Sequence, residues 1–150
     1  MIVVIQRVKN AAVAINGQET RKIAHGMVVL LGIEEADEQE DIEWLCKKIV
    51  NLRIYDDQNG VMNLSLNEVK GEILLISQFT LHASTKKGNR PSYIKAAKPD
   101  IAVPLYHRFK EMLQKMSEGE IKTGEFGAHM EVALVNDGPV TIIIDSKDRK

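Results

Sequence analysis

A chain of 150 residues, 44% hydrophobic and 27% charged, has the make-up of an ordinary globular protein with one core, so residues 1–150 are read as a single domain. Twenty basic against 21 acidic side chains leave a net charge of -1, which excludes a protein that grips nucleic acid through its overall charge; any such contact needs a local patch. The single cysteine, Cys46, excludes an internal disulfide, Arg7 interrupts the apolar start too soon for a signal peptide, and the longest apolar run, Met27 to Ile33, is far too short to cross a bilayer. A soluble, cytoplasmic protein without membrane contact is expected.

In chain order, Ile2–Val8 and Ala11–Ile15 read as two strands of a tight hairpin with Lys9-Asn10 between them. Asn16-Gly17 is a type I′ turn signal, since both central positions need positive φ, and it leads to a strand near Glu19–Ile23. Met27–Ile33 reads as a central strand. The period then changes: Ile42, Leu45, Cys46, Ile49 and Val50 form one helical stripe within Glu38–Leu52, flanked by Trp44. Arg53–Asp56 and Val61–Asn63 flank the turn Asp57-Gln58-Asn59-Gly60 as a second hairpin, and Glu72–Leu81 is a strand. A second helix carries the stripe Leu105, Tyr106, Phe109, Met112, Leu113 and Met116, with Asp100 as cap, Pro104 in its first turn and Gly119 as stop. Met130–Val135 and Val140–Asp145 are the last strands. The fold class is α+β: a curved, largely antiparallel, barrel-like sheet with two packed helices.

Two polar islands interrupt apolar strands. Ile73-Leu74-Leu75-Ile76 is apolar without alternation, which predicts burial on both faces, and Ser77-Gln78-Phe79-Thr80-Leu81 follows it. Strand alternation would put Gln78 and Thr80 on one face, with Ser77 and Phe79 on the other. This is either a strand emerging into solvent or the lip of a pocket whose hydroxyl, amide and backbone N–H groups face a carbonyl. Residues 86–98 follow with Lys86, Lys87, Arg90, Lys95 and Lys98, Tyr93 among them and no acid, a patch suited to phosphates or simply a solvated loop. The second island, Asn136-Asp137-Gly138-Pro139-Val140-Thr141, is a good turn sequence set against a stiff apolar strand. His25, His82, His107 and His129 share no metal-like spacing with one another or with Cys46, and neither a phosphate loop nor a nucleophile elbow occurs, so no metal and no cofactor are expected.

Both islands, with Gln6-Arg7-Val8, Lys87-Gly88-Asn89-Arg90-Pro91 and Phe126-Gly127-Ala128, resemble the D-aminoacyl-tRNA deacylases of the common bacterial and eukaryotic type, in order and spacing over essentially the whole chain. The resemblance implies hydrolysis of the ester that links a D-amino acid to the terminal ribose of tRNA. It implies a homodimer with the active site at the subunit interface, where a cis Gly138–Pro139 peptide reaches into the other subunit's pocket and excludes L side chains. Arg7 and Asn136 would support that turn, Phe126 and Met130 would hold the terminal adenosine, and Lys86, Lys87 and Arg90 would contact tRNA. Ser77, Gln78, Phe79 and Thr80 would form the catalytic island, with the Phe79 N–H as oxyanion donor. Thr80 is the obvious nucleophile, yet no base stands at a motif-like spacing to activate it, which favours assistance by the ribose 2′-hydroxyl. Glycine has no side chain to exclude, so glycyl esters, including glycine mischarged on tRNA-Ala, should be tolerated. The rivals are a threonine-dependent esterase and a non-catalytic tRNA-binding module; DNA is not an expected partner.

Overall fold

Strand β1 (Ile2–Ile15) is the spine of the fold in the computed structural model, which describes residues 1–150. It corrects the expected Lys9-Asn10 hairpin. Neither residue has the positive φ that a two-residue hairpin demands, so the chain runs straight through. What changes there is the partner: Ile2–Val8 pairs with β3 (Gly26–Gly32), and Ala11–Ile15 pairs with β2 (Glu19–Ile23). The turn into β2 is as expected, with φ of 50° at Asn16 and 69° at Gly17.

After β3 come α1 (Gln39–Asn51), the small hairpin β4 (Tyr55–Asp56) and β5 (Met62–Leu64), and β6 (Glu72–Ser77). Helix α2 (Pro99–Met116), β7 (Ile121–Thr123) and β8 (Met130–Asp145) complete the chain. Four of the six strand pairings are antiparallel; β3–β6 and β6–β7 are parallel. The β3–β6 approach explains Gly26, because a Cβ there would collide with the Glu72 carbonyl.

Several boundaries differ from expectation. The strand from Glu72 stops at Ser77, and Phe79–His82 is a 3-10 turn, so alternation does not govern Gln78 and Thr80. Helix α2 begins at Pro99 with Lys98 as its cap residue; Asp100 lies inside the first turn and Pro104 beyond it. Proline is well suited to the first helical position, where its missing N–H is no loss, and this outranks the Asp100 signal. The helix stops at Met116 with Ser117 as its cap, and Gly119 is needed instead because a Cβ there would meet the Gly71 carbonyl. The short β7 had no periodic signal. The two final strands are one, β8, which pairs with β1 on both sides of the second island.

The curved sheet has two apolar faces, and strand alternation serves both. Ile73 and Leu75 enter one cluster while Leu74 and Ile76 enter the other, all four at most 2% exposed. The larger cluster lies beneath the helices and takes Ile42, Leu45, Cys46 and Ile49 from α1 and Phe109 and Leu113 from α2. A 13-residue helix is marginal alone, so α1 is held by this packing, each buried aliphatic side chain contributing about 1.5–3 kcal/mol. The smaller cluster, with Val8, Val13, Val28 and Leu74, fills the interior of the curled sheet.

Buried Asp41, in the first turn of α1, binds the chain's final residues to the helix. Its carboxylate accepts from the Glu38 N–H at 2.8 Å and from Lys147 Nζ at 2.8 Å. Burial alone would raise its pKa, but hydrogen bonds from Lys147, the Glu38 backbone and Ser146 outweigh that and hold it at about 2. A lowered folded-state pKa gives stability that is present above the ordinary value of 3.8 and lost as pH falls through about 2. Asp41→Asn should therefore cost about 2 kcal/mol at pH 7. Denaturant titration should show that difference shrinking between pH 4 and pH 2; a difference independent of pH would remove the charge from the account.

Candidate active site

Because β3 and β6 run parallel, both deliver their carboxyl ends to one place, and a cleft of about 310 Å³ opens there. One wall is Leu31 and Ile33 beside Ile76, Ser77, Gln78 and Phe79; the other is Phe126 to Met130 with Val132, and Ala97 and Ala102 close the side. The first island thus lies on a pocket wall. Thr80 does not line it.

The local fold explains the difference. Gln78 N–H donates to the Leu31 carbonyl at 2.8 Å, the last tie of the island to β3, and the chain then turns. The first bond inside the 3-10 turn is Leu81 N–H to the Gln78 carbonyl at 3.2 Å, so the N–H groups of Phe79 and Thr80 precede it. Gln78 Nε2 donates to Thr80 Oγ1 at 2.5 Å, which keeps the two side chains together despite the lost strand geometry. That amide NH₂ is a donor and cannot take a proton from the hydroxyl. No carboxylate or imidazole bonds to Thr80, and the buried His82 Nε2 has no hydrogen-bond partner at all.

The opposite wall is held from behind. Gly124 N–H donates to the Leu75 carbonyl at 3.1 Å, and the Tyr106 hydroxyl donates to the same carbonyl at 3.2 Å. Burial pushes the Tyr106 phenol up to about 12, so it remains a donor across the physiological range. The Tyr106 ring meets Phe126 edge-on, with centroids 5.8 Å apart, and Asn16 N–H fixes the His129 carbonyl at 2.9 Å. Phe126 and Met130 therefore share the cleft with Ser77, Gln78 and Phe79 of the first island.

The basic loop is pinned, not free. Ser84 and Ser92 exchange backbone hydrogen bonds of 2.8 and 2.9 Å at its base. Tyr93 packs edge-on against Phe79 at 5.1 Å, placing Lys86, Lys87 and Arg90 on an exposed loop beside the island, outside the cleft.

The second island lies elsewhere. Gln6 pairs with Thr141 and Val8 with Asn136, so Arg7 alone stands opposite the four residues Asp137 to Val140, which bulge outward. The Gly138–Pro139 peptide is cis. Arg7 Nε donates to the Asp137 carbonyl at 2.9 Å, and its Nη1 donates to the Ile54 carbonyl at 2.7 Å and Asp56 Oδ1 at 3.2 Å. Asn136 brackets the bulge from within: its Oδ1 accepts from Val140 N–H at 2.9 Å, and its Nδ2 donates to Thr141 Oγ1 at 3.0 Å. Gly138 and Pro139 are exposed and contribute nothing to the cleft of their own chain. Sequence reasoning missed Ile33, Ala97, Ala102, His129 and Val132 in the lining and Tyr106 behind it. Apolar lining residues carry no signal that separates them from core.

Comparison with known proteins identifies the family. The family model for D-Tyr-tRNA(Tyr) deacylase matches residues 4–145. Proteins called D-aminoacyl-tRNA deacylase from Bacteroides fragilis and Flavobacterium johnsoniae are 65% and 59% identical over 150 residues, covering 100% of both chains in each case. Among solved structures, one titled c-Myc DNA Unwinding Element Binding Protein superposes with a TM-score of 0.91 at 41% identity, covering 97% of this chain and 98% of that one. A structure titled as a probable eukaryotic D-amino acid tRNA deacylase shares the fold, with a TM-score of 0.81 at 17% identity over 95% of this chain and 97% of that one. The chain belongs to the D-Tyr-tRNA(Tyr) deacylase family, hydrolases that act on aminoacyl-tRNA.

Proposed function

We propose that this chain cleaves the ester of D-aminoacyl-tRNA to free amino acid and tRNA, and turns L-aminoacyl esters away. The observation that carries this is the cleft itself, which gathers Ser77, Gln78 and Phe79 with Phe126 and Met130, while Thr80 has no carboxylate or imidazole bonded to it to act as a base. Its volume of about 310 Å³ suits a small ligand, with apolar walls and few polar groups to fix orientation. An aminoacyl ester is already labile, so the protein supplies position and an oxyanion donor, the Phe79 N–H. Loss of one such donor typically costs about 2.7–4 kcal/mol. The ribose 2′-hydroxyl of the tRNA supplies the chemistry that Thr80 has no partner to supply. Glycyl-tRNA, including glycine on tRNA-Ala, is accepted because it has no side chain to exclude.

Chirality is checked by the second island in a homodimer. Gly138 and Pro139 are exposed, held by Arg7 and Asn136, and absent from their own cleft, so their backbone is available to a partner's. Strand β8 pairs with β1 alone, which leaves one edge open, and Val132, Val135 and Ile143 are 38%, 48% and 70% exposed on it. An open edge beside apolar side chains favours association with a second copy. No helix is long and apolar enough to cross a membrane.

The deciding experiment incubates the protein with D-tyrosyl-tRNA, L-tyrosyl-tRNA and a free tyrosine ester and follows amino-acid release. Release from the D-tRNA alone is expected. Hydrolysis of the free ester would favour a threonine-dependent esterase, and binding without hydrolysis a tRNA-binding module. Sedimentation should give a dimer; a fully active monomer at micromolar concentration would end the cross-subunit account. Thr80→Ala should retain activity within about tenfold, the scale of one lost hydrogen bond. A fall of about 10⁶-fold would make Thr80 the covalent nucleophile. Replacing Lys86, Lys87 and Arg90 by alanine should flatten the log–log salt dependence of tRNA binding by about 0.7–0.9 per lost phosphate contact, with the preference for D-amino acids unchanged. An unaltered slope would return the loop to plain solvated surface.

A further inference from the structure

The sheet curls until β2 and β7, the two ends of its main run of strands, lie side by side without forming a ladder. Arg21 of β2 bridges this seam: its Nη1 donates to the Thr123 carbonyl at 2.7 Å, and its Nε donates to Glu19 at 2.9 Å. Both charges of that pair are thereby committed to each other. An open cleft of about 530 Å³ lies over the seam, where four cations, Arg21, Lys22, Lys110 and Lys122, face a single carboxylate, Glu19. Lys22 and Lys110 form no ion pair, and Lys122 has only a loose contact with the exposed Glu120 at 3.9 Å.

This surface continues into the candidate active site. Arg21, Lys110 and Thr123 also line a neighbouring hollow with His107, Glu125 and Phe126, and Phe126 is itself a wall of the reaction cleft. Lysines on edge strands also discourage edge-to-edge association, which would account for Lys22 and Lys122. Lys110 lies on α2 and has no edge to guard. It stands twelve residues along from Lys98, the cap residue of α2 beside the basic loop, a separation of about 18 Å at 1.5 Å per residue. Positive surface therefore flanks the reaction cleft on two sides.

We propose that the β2–β7 seam is a second RNA-binding surface, which holds the acceptor-stem backbone of the tRNA whose 3′ end occupies the cleft; it rests on the deacylase function proposed above. The chemistry is that of phosphate, not of base edges. Ammonium groups act as point charges, and the one guanidinium able to fork onto a base is spent on Glu19 and a carbonyl. The seam thus adds affinity and direction of approach without reading sequence.

The test compares native protein with a Lys22→Ala, Lys110→Ala, Lys122→Ala variant in two assays. Binding of uncharged tRNA across a salt series should become about tenfold weaker, with a log–log slope shallower by about two. Hydrolysis of D-tyrosyl-tRNA should show a raised KM, while hydrolysis of D-tyrosyl-adenosine, which has no stem, should be unchanged. Unaltered tRNA affinity and slope would overturn the proposal, as would equal loss on the stemless substrate. Competition by duplex DNA as strong as by tRNA would overturn the acceptor-stem assignment. If the native protein hydrolyses neither D-tyrosyl substrate, the deacylase function fails, and the binding series still decides whether the seam holds RNA.

Discussion

A guanidinium cannot leave water without acceptors, and Arg7, only 7% exposed, is the buried charge around which three parts of this fold are set. Its carbonyl partners come from Asp137 in the β8 bulge and Ile54 before β4, and its carboxylate neighbours are Asp56 and Asp137. The acceptors come from two segments, the bulge and the chain entering β4, so Arg7 stays satisfied only while β1, the β4–β5 hairpin and the bulge keep their mutual positions. Moving the bulge would strip a buried guanidinium of its Asp137 acceptors, a larger cost than a turn with exposed Gly138 and Pro139 at its tip would otherwise meet. Arg7 makes that exposed turn rigid.

The length of β1 is the condition for this arrangement. Had Lys9-Asn10 closed a hairpin, Val8 and Ala11 would face each other; instead both pair with β8, opposite Asn136 and Leu134. The bulge exists because β8 sets four residues opposite the single Arg7 of a continuous partner strand, three more than a regular ladder holds. Reading the two halves of β1 and of β8 as separate strands was a natural consequence of polar interruptions, since local pattern does not distinguish a turn from a bulge. The distinction is made by pairing partners far away in sequence.

Helices and the hairpin at Asn16-Gly17 were legible because their signals are local: a stripe of period 3.6, and two residues that tolerate positive φ. The double burial of Ile73 to Ile76 was legible for the same reason. The parallel pairings of β6 were not, because a strand buried on both faces looks alike in either orientation; nor was the 3-10 turn after Ser77, which packs closely on Gly32, a contact between residues far apart in sequence. At the site, the polar islands stood out against apolar flanks. Most of the apolar lining was hidden, because Ile33, Ala102 and Val132 obey the same hydrophobic pattern as core residues and differ only in ending at a cavity.

The division of work proposed for the two islands follows from their surroundings. The first is backed by β3 and packed against Tyr93, on a wall whose groups can hold an ester but cannot abstract a proton. The second has no contact with that cleft in its own chain, yet is held by one of the few buried charges in the molecule. A recognition element that must exclude rather than attract gains from rigidity and loses nothing by offering few favourable contacts to the substrate, because rejection comes from what cannot fit. In the proposed dimer, tying that element to the core of one subunit while the chemistry sits on another would make discrimination depend on how two rigid bodies meet. It also leaves the wall around the ester free of side chains that would have to distinguish one amino acid from the next.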